Sequence, residues 1–313
     1  MSTTIAASTE PTGRHRSRCA AISRGNNESL RGTAATAVGW LLIEHPGPWG
    51  PAPFEPNGPL GEIGAELHRR CTELRVRIQL IRDPNRPRTN SSQHQVYLVH
   101  SGRSGPWMTQ HHYHRPEQML DIDIAAAVST TPPQTGEPAC EPIYLVCTHG
   151  KKDPCCAVFG RPIVRALTTS TSQVFESSHL GGDRFAGGMV ALPDGSYFGH
   201  LEPNSAATVI ERHRDGRLLL SHYRGRCTDS PLVQVAEHSL RTLQGLSGID
   251  DVHPRKTIAG EPDGIVELAT RSATATVHVR SAPQPPRTTA CHAAAPQSPD
   301  HGKVTAIHIT DIT

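Results

Sequence analysis

Large aromatic residues are scarce: three Trp, five Tyr and five Phe make up 4% of the 313 residues. That scarcity excludes a core built mainly on stacked rings. Charge of one sign is also missing, because 31 Lys and Arg stand against 29 Asp and Glu for a formal net charge of +2. Nucleic-acid binding by a broad basic field is therefore not expected. No apolar run approaches the ~20 residues that span a bilayer, and the opening MSTTIAASTEPTGRHRSRC has no apolar centre of a secretory signal. The expectation is a soluble, cytoplasmic protein with no membrane partner.

What is abundant is of a different kind. Hydrophobic residues reach 36%, enough for a globular core, while 27 Gly and 27 Pro predict a loop-rich chain. There are also 19 His and 8 Cys, the latter at positions 19, 71, 140, 147, 155, 156, 227 and 291. In a reducing compartment a disulfide framework is the weaker reading, so metal ligation or a reactive thiol gains weight.

Composition marks residues 1–18 and 281–313 as tails, the second largely flexible, and STTPPQTGEPAC as the break between an N-terminal α/β region, 19–135, and a second domain, 136–280. In the first region, 38–44 and 76–82 read as buried strands around a helix over 61–74. The segment QHHYHRPEQ reads as a solvated loop, since its histidines His111, His112 and His114 fit no standard metal spacing. The second half repeats the strand and helix order without a defensible internal repeat. It has a strand at 143–147, a helix-like 157–168 broken by Gly160 and Pro162, and a strand at 173–177. A Pro-Asp-Gly hairpin, helices over 205–212 and 231–246, and two closing strands follow. The fold class is α/β or α+β.

The informative segment is Val146-Cys147-Thr-His149-Gly150-Lys-Lys-Asp153-Pro-Cys155-Cys156, at the end of a predicted strand. Thiolates converging in a glycine-containing loop are a usual way to hold iron–sulfur clusters or zinc, although no Cys-x2-Cys pair favours zinc. One of Cys155 and Cys156 also reads as a small buried hydrophobe. Glu176–Gly188 ends the next strand, so His179 can meet the cysteine loop across one sheet edge. Asp183 reads equally as a ligand or as a helix N-cap before RFAGG, and His149 as a loop residue bonding backbone. Arg224 and Arg226, before Cys227, read either as solvated loop residues or as a patch for an anion or an acidic redox partner.

Four segments, GTAATAVGWLLIEHPGPWG, VCTHGKKDPCCAVFGRPI, SSHLGGDRFAGGMVALPDGSYFG and YRGRCTDSPLVQVAEHSLR, together resemble the sucrase/ferredoxin-like proteins of actinobacteria. The resemblance implies a thioredoxin-like ferredoxin domain in the second half, packed on the smaller N-terminal region. Fungal relatives hold a 2Fe–2S cluster on two Cys and two His, with the second His four residues after the first. Carried over by motif, this implies Cys147, Cys156 and His179 as cofactor-binding metal ligands, and Asp183 where the second histidine would stand. Asp183 as a ligand, Cys155 or Cys227 as its substitute, or no cluster at all remain open. The implied function is electron transfer with a redox protein partner, rather than sugar hydrolysis, for which no carboxylate pair stands out. The alternatives are a thiol-redox enzyme using Cys147 with Cys155 or Cys156, and a metal-free binding module.

Overall fold

The computed structural model describes residues 18–86, 94–168, 173–259 and 263–312. The expected tail 1–18 thus lies outside the described residues except for its last position. In chain order the elements are α1 (Cys19–Gly25), β1 (Gly39–Glu44), α2 (Gly61–Glu73), β2 (Val76–Arg82), β3 (His94–His100), β4 (Trp107–Tyr113) and β5 (Glu137–Pro138). They continue as β6 (Ile143–Cys147), α3 (Pro154–Leu167), β7 (Val174–Ser177), β8 (Met189–Leu192), β9 (Ser196–Phe198), α4 (Pro203–Arg214) and β10 (Tyr223–Arg226). The chain closes with α5 (Pro231–Gln244), β11 (His253–Ala259), β12 (Asp263–Ala269), β13 (Ala273–Arg280) and β14 (Lys303–Asp311).

Strands β1 to β10 form one sheet in the order β10-β9-β8-β6-β7-β2-β1-β3-β4-β5. Read from its two edges, the order is the same in each half: a strand–helix–strand unit pairs in parallel (β1 with β2, β6 with β7), and an antiparallel pair follows on the far side of its first strand. The halves meet where β2 and β7 pair antiparallel, through Ile81 with Ser177 and Arg82 with Glu176. The topology thus shows a structural repeat where the sequence displays none, and the two halves share one hydrogen-bonded sheet. β1 and β6 are buried along their whole length, as continuous apolar strands covered on both faces are.

The remaining strands, β11 to β14, make a second, wholly antiparallel sheet whose apolar face packs on α5 through Val233, Val235, Ala236 and Leu240. Ser230 caps α5 by accepting from the Val233 N–H, and Gly245 ends it in the left-handed conformation. The stretch 281–313 is not a largely flexible tail, because β14 pairs along β13 from Lys303 to Asp311. Its sparse apolar content conceals this: β14 binds as an edge strand, through backbone more than through burial. His111 and His112 lie in β4 and not in a solvated loop; His111 is buried against Thr109 and stacked on Tyr113.

Candidate metal centre

Two elements fix the thiols. β6 ends on Cys147, and α3 begins seven residues later with Pro154 in its first turn and Asp153 as N-cap, its carboxylate accepting the Cys155 N–H at 2.8 Å. The two paired cysteines therefore occupy consecutive positions of a first helical turn, about 100° apart around the axis, and point to different places.

Cys156 turns toward the sheet. Its Sγ, the Cys147 Sγ and a ring nitrogen of His179 all lie within 4.8 Å of one another. Asp183 joins them, with Oδ1 3.5 Å from Cys156 Sγ and 3.2 Å from His179 Nδ1. Asp183 is not a helix N-cap: the short 3-10 turn Asp183–Phe185 is preceded by Gly182 in the cap position, which leaves the carboxylate free to face the thiols.

Cys155 turns the other way, to Cys19 and Cys291, so it is not a substitute ligand at the first group. Cys227 is not one either, being fully buried outside that group.

The electrostatics of the group follow from its burial and order. A hydrogen bond from Cys156, joined by His179, holds the Cys147 thiol well below its ordinary range despite burial; Cys156, as donor to that thiolate, is pushed far up. Burial pulls His179 down, but its bond to Cys147 and the charge of Asp183 more than offset this, so the imidazole is raised. Asp183 is raised chiefly by burial, then by the negative charge of Asp153 and Cys147.

The loop carrying His179 is held from behind by groups with no obvious sequence signal. Arg77 and Gln79 donate to the His179 carbonyl at 3.2 and 3.3 Å, and Arg224 donates to the Gly181 carbonyl at 3.2 Å. Arg224 is 2% exposed, also bonds Thr33, and is lowered to about 10 by burial. Neither Arg224 nor Arg226 is therefore a solvated or partner-facing residue; Arg226 bonds the Asp194 carbonyl. Their spacing in YRGRC alternates as a strand does, and both sides of that strand are covered. His149 bonds the Gly50 carbonyl at 2.5 Å, as a loop residue would, beside an open cleft of about 780 Å3 bordered by Trp49, Lys151 and Arg161.

Among the described residues, no helix is long and apolar enough to cross a membrane. Residues 30–225 match the sucrase/ferredoxin-like family model. A curated relative, altered inheritance of mitochondria protein 32 of Candida glabrata, is 25% identical over 97 residues, covering 26% of this chain and 31% of that protein. The chain spans under a third of that relative's length. No solved structure matches. With well over half its length matched, the chain belongs to the sucrase/ferredoxin-like family.

Proposed function

From that membership and the converging donors, we propose that this protein is a cytoplasmic electron carrier whose 2Fe–2S cluster is held by Cys147, Cys156, His179 and Asp183. The observation that carries the reading is the meeting of two thiols and an imidazole within 4.8 Å, with a carboxylate against two of the three. A thiolate and imidazole donor set of this kind fits iron–sulfur chemistry. When bound, such a cluster exchanges one electron at a potential tuned by ligand type, charge and burial.

The protein's own residues supply the rest. Cys147 and Cys156 are 4% and 2% exposed, whereas the side chains of His179 and Asp183 are 23% and 14% exposed. The sulfur side is dry and the His179 side faces solvent, so a redox partner would approach from the imidazole. Arg77, Gln79 and Arg224 fix the His179 loop from the interior, keeping its donor atoms in place as charge changes. Asp183 in place of imidazole adds negative charge near the iron, which lowers the potential.

A second reading, a dithiol redox centre, rests on the buried Cys147 and Cys156 sulfurs lying within 4.8 Å of each other. Cys155 has no part in it, because its Sγ faces Cys19 and Cys291. Protein purified without oxygen separates the two. For the carrier, the wild type and Cys155→Ser are coloured and Cys156→Ser is colourless. Colour retained in Cys156→Ser but lost in Cys155→Ser contradicts the assigned ligands, and iron-free protein with a Cys147–Cys156 disulfide supports the second reading instead.

A further inference from the structure

A second group of cysteines lies on the opposite side of the α3 N-terminus. Cys19 comes from the first turn of α1, Cys155 from the first turn of α3, and Cys291 from the segment between β13 and β14. The three sulfurs form a nearly equilateral triangle, with Cys19 to Cys155 at 3.6 Å, Cys155 to Cys291 at 3.4 Å and Cys291 to Cys19 at 3.6 Å. Cys19 and Cys155 are fully buried, and all three thiols are free.

The size of that triangle is informative. The point equidistant from the sulfurs in their plane is roughly 2 Å from each, so an ion displaced about 1 Å from the plane makes three bonds of about 2.3 Å, the zinc–thiolate length. Asp153 supplies a fourth donor: both carboxylate oxygens lie 3.9 Å from Cys19 Sγ. The carboxylate is itself fixed by the backbone N–H groups of Cys155 at 2.8 Å and Cys291 at 2.6 Å, and each oxygen keeps a lone pair. Such bonds to a coordinating carboxylate orient it for the metal.

We propose that Cys19, Cys155, Cys291 and Asp153 form a structural zinc site. Three thiolates and one carboxylate match the Cys and Asp donors that zinc accepts, and the carboxylate disfavours Cu(I), which prefers sulfur alone. The four donors leave no open position, and those of Cys19, Asp153 and Cys155 are buried while Cys291 is half-buried, which fits a structural better than a catalytic zinc site. Binding replaces three thiol protons, which leave to solvent. The ion would fasten both ends of the described chain to the helix that carries Cys156. Cys19 and Cys291 lie outside the residues that match the family model, 30–225.

The test uses the full chain with the first group silenced by Cys147→Ser, reduced and freed of metal by a chelator, then given Zn(II) or Co(II). The expected result is about one zinc per chain, and with Co(II) the visible bands of a tetrahedral, thiolate-rich ion. Adding Cys291→Ser should weaken zinc binding at least tenfold and abolish those bands. Should Cys147→Ser fold poorly, Cys156→Ser silences the same group. Failure to take up metal, uptake unaffected by Cys291→Ser, or a disulfide among the three cysteines in place of metal would each overturn the proposal. Absence of iron and sulfide from the wild type would sink the electron-carrier reading while leaving this zinc result intact.

Discussion

Replacing Gly160 by Ala sets two physical effects against each other. Gly160 lies four residues after Cys156, on the same face of α3, and its α-carbon rests on the end of β6. A Cβ there would overlap the Cys147 carbonyl oxygen, with the Cys147 carbonyl carbon at 3.1 Å and Thr148 Cγ2 at 3.3 Å. The obstacle is backbone, so no side chain can swing aside and the helix must retreat by about 1 Å. Helix propensity alone favours Ala over Gly by about 1 kcal/mol. Overpacking costs about 1–3 kcal/mol, and rigid main chain on both sides places this case at the upper end. The net expectation is a loss of about 2 kcal/mol, or about 3 °C in Tm for a chain of this length. Because retreat also withdraws Cys156 from Cys147, iron retained per chain should fall as well. Gly25→Ala, where a Cβ would meet nothing within 4 Å, is the control and should not lower Tm. A Gly160→Ala protein that melts at or above the wild-type temperature with full iron would refute the close packing of α3 on the Cys147 strand end.

Asp183→Ala should make the cluster labile with strong loss of visible absorbance, whereas Asp183→His should retain it and raise the reduction potential, because imidazole removes a negative charge from the iron's surroundings; iron and potential unchanged in both variants would remove Asp183 from the site. Glu28 gives a pH prediction. Burial raises this carboxyl, but hydrogen bonds from His301, Arg184 and Ser23 outweigh it and bring it from 4.5 to about 2. Because the folded value lies below the unfolded one, its contribution to stability is present above about pH 4.5 and is lost as pH falls toward 2. Thermal melts of wild type and Glu28→Gln should therefore differ at neutral pH and converge across that window; a difference independent of pH would contradict the pairing.

Local features of the sequence foretold much of the site. β6 is an uninterrupted apolar run ending on Cys147, and Asp153-Pro154 before Cys155 is a helix-start signal. α5 begins with Ser230-Pro231 and stops at Gly245, both visible in one dimension. What was hidden is long-range. The pairing of β2 with β7 joins strands almost a hundred residues apart and needs only two residue pairs, so no periodicity records it. Cys19 and Cys291 meet across 272 positions, Cys291 from a segment whose composition reads as a tail and Cys19 from the residue directly after one. The divergence of Cys155 and Cys156 was available in principle, since adjacent residues of a helix face directions about 100° apart. Arg224 looked solvated because arginine usually is, and only the fold shows the carbonyls that draw it inward.

The central claim is tested most directly by counting iron and acid-labile sulfide in protein purified and kept without oxygen. The account predicts about two of each per wild-type chain, with both falling to background in Cys147→Ser. Wild-type protein that takes up no iron and sulfide after anaerobic reconstitution, or holds zinc alone at the Cys147, Cys156 and His179 group, would contradict it.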